Sequence, residues 1–375
     1  MAKRVCLITD TLCDANGVSR FIQDISSIAY EQKLPFLAIT STKKSYCEKF
    51  ENMVILKPLI SMKMPFYPAL DLVIPPFFKL YKTIKYFNPD VIHISTPGIV
   101  GLCGFIGARV LKKEIIGTYH TDFPAFLYEN TKSHFIKKIT LLIMKKFYKK
   151  FKFIFVRSDI YKSVIQEELG FDRNKIFTIP AGIDIKRFND VEPNREIWSR
   201  YGVEKESKKA LFVGRVTREK NIPFLLEVWK ENFKSDKDSH LILVGVGEFF
   251  DKKEEYRAFN ILFLGHKEGI ELEELYKNSD FFVFPSNSDT LGQVVIEAMA
   301  CGICSIVGDE GGAKTIIEDK ITGLILEKNN KAKWVEAIKL LIEDNETRNY
   351  YNKNTLLSSK KFDIQKSFKY FFEKI

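Results

Sequence analysis

The stretch Phe281-Phe-Val-Phe-Pro-Ser-Asn-Ser-Asp289-Thr-Leu-Gly292-Gln-Val-Val-Ile-Glu297-Ala-Met-Ala-Cys-Gly302 decides how this chain is read. Its first four residues form an apolar strand, and a polar turn follows. Val294, Val295, Ala298 and Met299 then recur at helical spacing. Asp289 in the loop and Glu297 inside the helix bracket the helix start. The first N–H groups of a helix have no partner within it and suit a phosphate. The two carboxylates suit hydroxyls on either side of that phosphate. Taken alone, the segment also reads as an ordinary strand-loop-helix unit with Glu297 solvated.

The surrounding chain repeats the pattern. Apolar strands are expected at Arg4–Thr9, Pro35–Thr40, Val54–Leu56, Asp90–Ile94, Glu114–Thr118, Phe153–Val156 and Lys175–Ile179. A second series falls at Ala210–Val213, Leu241–Val244, Asn260–Leu264, Phe281–Phe284, Cys304–Val307 and Gly323–Ile325. Amphipathic helices separate them, among them Val18–Tyr30, Asp71–Phe87, Val100–Leu111, His134–Lys150 and Gly292–Ala300. Continuous apolar strands spaced by helices indicate parallel sheets covered on both faces. Two series indicate an α/β chain of two doubly wound, Rossmann-like domains. The boundary is expected between the turn Pro180–Asp184 and the strand at Ala210, across a charged segment. The expected domains are residues 1–187 and 188–358, with a terminal helix at 359–375 free to pack back on the first.

The 375 residues are 45% apolar and 28% charged, as in a soluble globular protein. No run of 18 apolar residues occurs, and Met1–Asp10 reads as a buried strand rather than a signal peptide. The six cysteines, Cys6, Cys13, Cys47, Cys103, Cys301 and Cys304, lie scattered in apolar surroundings, as reduced cytosolic thiols do. Cys301-Gly-Ile-Cys304 has C-x-x-C spacing, but with no second pair it reads as a packed turn.

Charge divides unevenly. Residues 1–190 carry 29 Lys and Arg against 17 Asp and Glu, and the remainder 29 against 31. The segment Lys132–Lys152 holds eight lysines and no acid. Phe135, Ile139, Leu142, Ile143 and Phe147 fall near one helical face, so the segment suits an anionic membrane surface. A core-facing helix with a solvated lysine face fits the same pattern. No finger, helix-turn-helix or RNP pattern points to nucleic acid.

Ligands of doubly wound sheets lie beyond the carboxyl ends of the strands. There, Gly17 stands at a helix mouth and lets a backbone N–H approach an anion. His120, in Tyr119-His-Thr-Asp122, follows a strand and is placed to contact sugar or acceptor. Gly214-Arg215 and Lys220-Asn221 follow the strand at Ala210. Arg215 can fork onto phosphate oxygens and Lys220 can add a point charge. Asp236-Lys-Asp238 reads as a solvated loop. No cluster has metal-ligand spacing, so a metal-independent mechanism without a cofactor is expected.

These residues resemble the retaining glycosyltransferases of family 4. The resemblance rests on Gly214-Arg215, Lys220-Asn221, the Phe281–Phe284 strand, the acid-x7-Glu helix ending at Gly302, Gly311-Gly312, Thr322-Gly323 and Pro180–Asp184. It implies the GT-B fold, two Rossmann-like domains facing across a cleft that closes on binding. Asn16-Gly17-Val18, Thr96-Pro97-Gly98 and Gly117–Pro124 are similar to a subgroup of GDP-mannose-dependent mannosyltransferases and sulfolipid and glycolipid synthases. That likeness implies transfer of a hexose from a nucleotide-sugar to a lipid or glycan acceptor at the inner face of the cytoplasmic membrane. Arg215 and Lys220 would hold the donor diphosphate, Glu297 the ribose, and Asp289 the transferred sugar. N–H groups near Leu291 and Gly292 would meet the distal phosphate. His120 would face the sugar, and Gly17 the donor phosphate or the acceptor. Asp289 stands where the family usually has glutamate, and Cys304 where it has proline. A soluble transferase acting on sugars, or a catalytically silent binding module, remains compatible with the same sequence.

Overall fold

The computed structural model describes the chain except residues 1, 15, 45–49, 65, 66, 121, 287, 288 and 290 and the side chains of 64, 67–70, 126, 129 and 130. It forms two compact units, residues 1–180 with 365–375, and residues 181–364. The division falls at Pro180/Ala181 rather than 187/188. The charged segment expected to link the domains is instead structural. Ile197 and Trp198 are buried in the second unit's core, and the Trp198 indole N–H donates to the Asn278 carbonyl at 2.9 Å.

The first unit contains strands β1 (Val5–Ile8), β2 (Phe36–Ser41), β3 (Met53–Leu56), β4 (Ile60–Met64), β5 (Tyr67–Ile74), β6 (Val91–Ile94), β7 (Glu114–Tyr119), β8 (Ile154–Val156) and β9 (Ile176–Thr178). Its helices are α1 (Gly17–Glu31), α2 (Phe77–Phe87), α3 (Ile99–Val110), α4 (Phe123–Thr131), α5 (His134–Tyr148) and α6 (Ile160–Leu169). Seven strands make a parallel sheet in the order β3-β2-β1-β6-β7-β8-β9. β4 and β5 form a separate antiparallel hairpin. The helix expected from Asp71 therefore starts later. Pro75-Pro76 cannot continue a helical hydrogen-bond ladder, and Pro76 becomes the N-cap of α2.

The second unit runs α7 (Ile185–Asn189), β10 (Lys209–Val213), α8 (Ile222–Phe233), β11 (His240–Val244), α9 (Lys253–Arg257), β12 (Ile261–Gly265) and α10 (Gly269–Lys277). It continues with β13 (Phe281–Phe284), α11 (Gln293–Ala300), β14 (Ser305–Gly308), β15 (Gly323–Leu326), α12 (Lys331–Glu343) and α13 (Asn345–Ser359). Its parallel sheet has the order β12-β11-β10-β13-β14-β15. The chain then returns to the first unit through α14 (Ile364–Lys374). There Phe371 packs against His93 and Phe155, and Phe372 against Phe36.

Two helices of the first unit carry more apolar surface than they bury. On α3 the glycine face lies so close to β1 that a Cβ at Gly104 would meet Ile8 Cδ1 at 2.6 Å. On α5 the buried residues are Met144 and Tyr148, while Phe135, Ile139, Leu142 and Ile143 point to solvent. Among the described residues no helix is long and apolar enough to cross a membrane. Cys6, Cys103, Cys301 and Cys304 are free, and burial pushes the Cys304 thiol up to about 12. Cys13 is disulfide-bonded, contrary to the expectation of reduced thiols throughout, and Cys47 lies outside the described residues.

Asp10, at the end of β1, ties the first sheet to α3. One carboxylate oxygen accepts the N–H of Val100 at 2.7 Å, the other those of Gly98 and Gly101 at 3.0 and 3.2 Å. The Thr96 hydroxyl adds a fourth bond at 2.7 Å. Asp10→Ala removes this cap and is expected to lower unfolding stability by about 2 kcal/mol. Asp10→Asn, whose amide oxygen still accepts, should recover part of the loss in denaturant titrations.

Candidate active site

Strand order determines where a ligand can enter the second unit. From β10 the chain moves outward to β11 and β12, then places β13 on the other side of β10. The loops leaving β10 and β13 diverge, and the crevice beyond their carboxyl ends is the usual ligand position in such sheets. The β10 loop carries Gly214, Arg215 and Lys220. The β13 loop carries Ser286, Asp289, Leu291 and the start of α11.

Lys220 closes a short turn, and Asn221 takes a left-handed conformation with φ of 58° before Pro223 opens α8. Asn221 is the N-cap of α8 but makes no side-chain capping bond. Its amide donates instead to Asn329 Oδ1 at 3.0 Å. This turn buries Lys220 and carries its ammonium to Asp289, with Nζ to Oδ1 at 2.6 Å. The Ser286 hydroxyl donates to the other Asp289 oxygen at 2.5 Å. Burial alone would raise the Asp289 pKa. The charge and hydrogen bond of Lys220, the Ser286 hydroxyl and the charge of Arg215 together outweigh it, and the carboxyl is held below its ordinary value.

Arg215 pairs with Glu219, four residues on in the same loop. The two cations expected to stand open to a diphosphate are thus each paired with a carboxylate of their own. An ammonium offers three donors and a guanidinium five, so both keep donors beyond their internal partners. Gly292 is the N-cap of α11 with φ of 80°, a left-handed conformation suited to glycine, and it has no side chain with which to cap the helix. A Cβ there would lie 2.9 Å from that of Ala313. Leu291 beside it is buried. The β10 and β11 loops touch through glycine: a Cβ at Gly245 would fall 1.9 Å from the Gly214 carbonyl oxygen.

Glu297 accepts the hydroxyl of Tyr276 at 2.9 Å, and burial together with this carboxylate drives the tyrosine pKa well above its usual value. Nothing in the sequence around Glu297 announces this partner, which arrives from α10.

Gly17 and His120 belong to the first unit. Gly17 starts α1, where Asn16 caps the helix by accepting the Ser19 N–H at 2.9 Å. His120 is buried at the end of β7, with Nε2 and the Ser95 hydroxyl 2.9 Å apart. Burial, then the charge of Arg157, then His93 hold its pKa well below the usual imidazole value, so the ring is neutral at physiological pH. Arg157 was not anticipated. It follows β8, is buried, and stacks its guanidinium 3.9 Å from the Phe21 ring centroid.

Two family models divide the chain almost as its two units do. Residues 15–187 match Glycosyltransferase Family 4 and residues 194–357 match Glycosyl transferases group 1. The chain belongs to these glycosyltransferases and has their GT-B fold of paired Rossmann-like domains. It is 27% identical to the sulfoquinovosyl transferase of Arabidopsis thaliana, over 81% of this chain and 59% of that protein. It is 26% identical to the alpha-monoglucosyldiacylglycerol synthase of Streptococcus pneumoniae, over 86% of this chain and 75% of the synthase. Its identity to the GDP-mannose-dependent alpha-mannosyltransferase of Mycobacterium tuberculosis is also 26%, over 86% and 83%. Among solved structures, Anabaena HepE in complex with UDP and glucose superposes with a TM-score of 0.79 at 16% identity, covering 99% of both chains.

The Lys220–Asp289 pair makes a prediction independent of activity. Lys220→Met or Asp289→Asn alone strands a largely buried partner and should cost about 3 kcal/mol, whereas the double variant should cost less than either. Because the folded-state pKa of Asp289 is depressed, its stabilisation is present above about pH 4 and is lost as pH falls further. Unfolding temperatures measured from pH 5 to pH 3 should fall more steeply for the wild type than for Asp289→Asn.

Proposed function

We propose that the chain transfers a hexose from a UDP- or GDP-linked donor to a hydroxyl of a membrane lipid or lipid-linked glycan, with retention of configuration and without a metal. The observation that carries this reading is that, beside the switch point between β10 and β13, Lys220 pairs with Asp289 three residues before the α11 N-cap and the charge of Arg215 acts on the same carboxylate. Cleavage of the bond from the anomeric carbon to phosphate oxygen leaves negative charge on the nucleoside diphosphate and positive charge on the sugar. Arg215 and Lys220 neutralise the departing diphosphate, and N–H groups at Leu291 and Gly292 meet its distal phosphate. Such groups act most strongly as the charge develops.

Asp289 accepts hydroxyls of the transferred sugar while Lys220 and Ser286 fix its orientation. Glu297, positioned by Tyr276, accepts the ribose hydroxyls. Neutral His120 hydrogen-bonds the sugar, and Gly17 leaves the first unit open to donor phosphate or acceptor. In the retaining step the acceptor oxygen bonds to the anomeric carbon from the leaving-group side and passes its proton to the leaving phosphate oxygen. The lipid-synthesising relatives support a lipid acceptor. So does the outward stripe of Phe135, Ile139, Leu142 and Ile143 among the lysines of Lys132–Lys152. That stripe suits peripheral attachment to an anionic membrane at its cytoplasmic face.

Thermal-shift measurements with UDP, GDP and their sugars should single out one nucleotide, since ligand at 100 times its dissociation constant adds about 2.7 kcal/mol. With that donor, Arg215→Ala and Lys220→Ala should each reduce kcat about 10²–10³-fold. Full activity in both variants would sink the mechanism, and an inverted product anomer by NMR would sink retention.

A further inference from the structure

At the amino edge of the first sheet, beyond the C-terminal ends of α3 and α5, lies a hollow of about 520 Å³. Six cations line it, Arg109, Lys112, Lys113, Lys149, Lys150 and Lys152, against the single carboxylate of Glu114. Glu114 already pairs with Lys152 at 2.7 Å, and Lys113 donates to Asn88 Oδ1 at 2.9 Å. Among the described residues no carboxylate pairs with Arg109, Lys112, Lys149 or Lys150. Cations sit well at the negative end of a helix, which accounts for some of this charge. It does not account for two helix ends bringing their cations to the rim of one shallow, open depression.

Two apolar stripes lead to the hollow. On α3, Leu102, Ile106 and Val110 are exposed at successive turns, and Val110 adjoins Arg109. On α5 the exposed stripe is Phe135, Ile139, Leu142 and Ile143. The helices are neighbours, since Phe105 of α3 packs against Phe147 and Phe151 with centroids 5.3 and 6.2 Å apart. Both connect parallel strands and so run back toward the amino edge. The α3 stripe reaches the rim at Val110, and the α5 stripe stops at Ile143, about 9 Å short of Lys149 along the helix axis.

We propose that this hollow binds the phosphate headgroup of an anionic phospholipid, with the α3 and α5 stripes against the acyl region. The inference rests on the membrane reading above and adds to it a discrete site on the lipid. Acidic lipid is favoured over a free anion because the cationic hollow is continuous with exposed apolar surface. The 15 residues of α5 span about 22 Å. The hollow thus lies at the opposite edge of the sheet from Asp10 and His120, and the lipid it holds is an anchor rather than the acceptor. Pinned there, α3 and α5 lie flat on the bilayer and hold the carboxyl edge of the sheet at membrane level.

The test is co-sedimentation of the full chain with vesicles of phosphatidylcholine, with and without phosphatidylglycerol, in the absence of donor and acceptor. Two triple variants remove equal charge: Arg109→Gln/Lys112→Gln/Lys113→Gln in the hollow, and Lys138→Gln/Lys145→Gln/Lys146→Gln outside it. The hollow triple should lose about tenfold more affinity for phosphatidylglycerol vesicles than the outer triple, with both matching wild type in unfolding temperature. If the hollow triple is unstable, Arg109→Gln against Lys146→Gln makes the same comparison. Equal losses would mean diffuse attraction and overturn the site while leaving membrane attachment intact. Absence of wild-type binding would sink both. Wild-type binding to phosphatidylcholine vesicles that is no weaker than to phosphatidylglycerol vesicles would overturn the anionic-lipid assignment.

Discussion

The ion pair between Lys220 and Asp289 joins the two loops that leave the second sheet on either side of its switch point. Each loop is placed by its own strand, but their mutual position depends on this contact. Lys220 is carried inward by a turn ending in a left-handed asparagine, and Asp289 is held on its second oxygen by Ser286. The pair does two things. It ties the β10 loop to the segment that leads into α11, and it helps outweigh the burial that would otherwise raise the Asp289 pKa. Donors held this way are fixed in advance, which is what the catalysis proposed above requires of them.

The two units use the same architecture differently. In the first sheet the strand order reverses between β1 and β6, and the helix start that follows β6 is occupied by Asp10. The chain supplies its own anion there, with four donors converging on one carboxylate. In the second sheet the corresponding helix begins at a glycine, which brings no carboxylate to it. One fold thus caps this helix start with its own carboxylate in one copy and begins it at a glycine in the other.

Much of this was legible in the sequence where the signal is local. The strand, turn and helix around Asp289 follow directly from apolar spacing, and the βα alternation specifies two parallel sheets. What escaped notice depends on contacts between distant segments. Asp10 meets Gly98 and Val100 only because β1 and β6 are neighbours, and Tyr276 reaches Glu297 from another helix. Glu219 stands between Arg215 and Lys220 in the sequence, yet its pairing with Arg215 shows only once the loop folds into a turn. The β4–β5 hairpin was obscured by prolines, which argue against a strand except at an unpaired edge. The segment around Trp198 reads as a linker because its charges outnumber the apolar residues that anchor it, Phe188, Ile197, Trp198 and Val203.

The position of α14 has a consequence for biosynthesis. It completes the first unit, yet the 184 residues of the second lie between it and the rest of that unit in the chain. At about 5–20 residues per second, the ribosome needs roughly 10–40 s to bridge that interval. Throughout it, the surface around Phe36, His93 and Phe155 lacks its cover, so the amino-terminal half cannot complete its packing until α14 has been made.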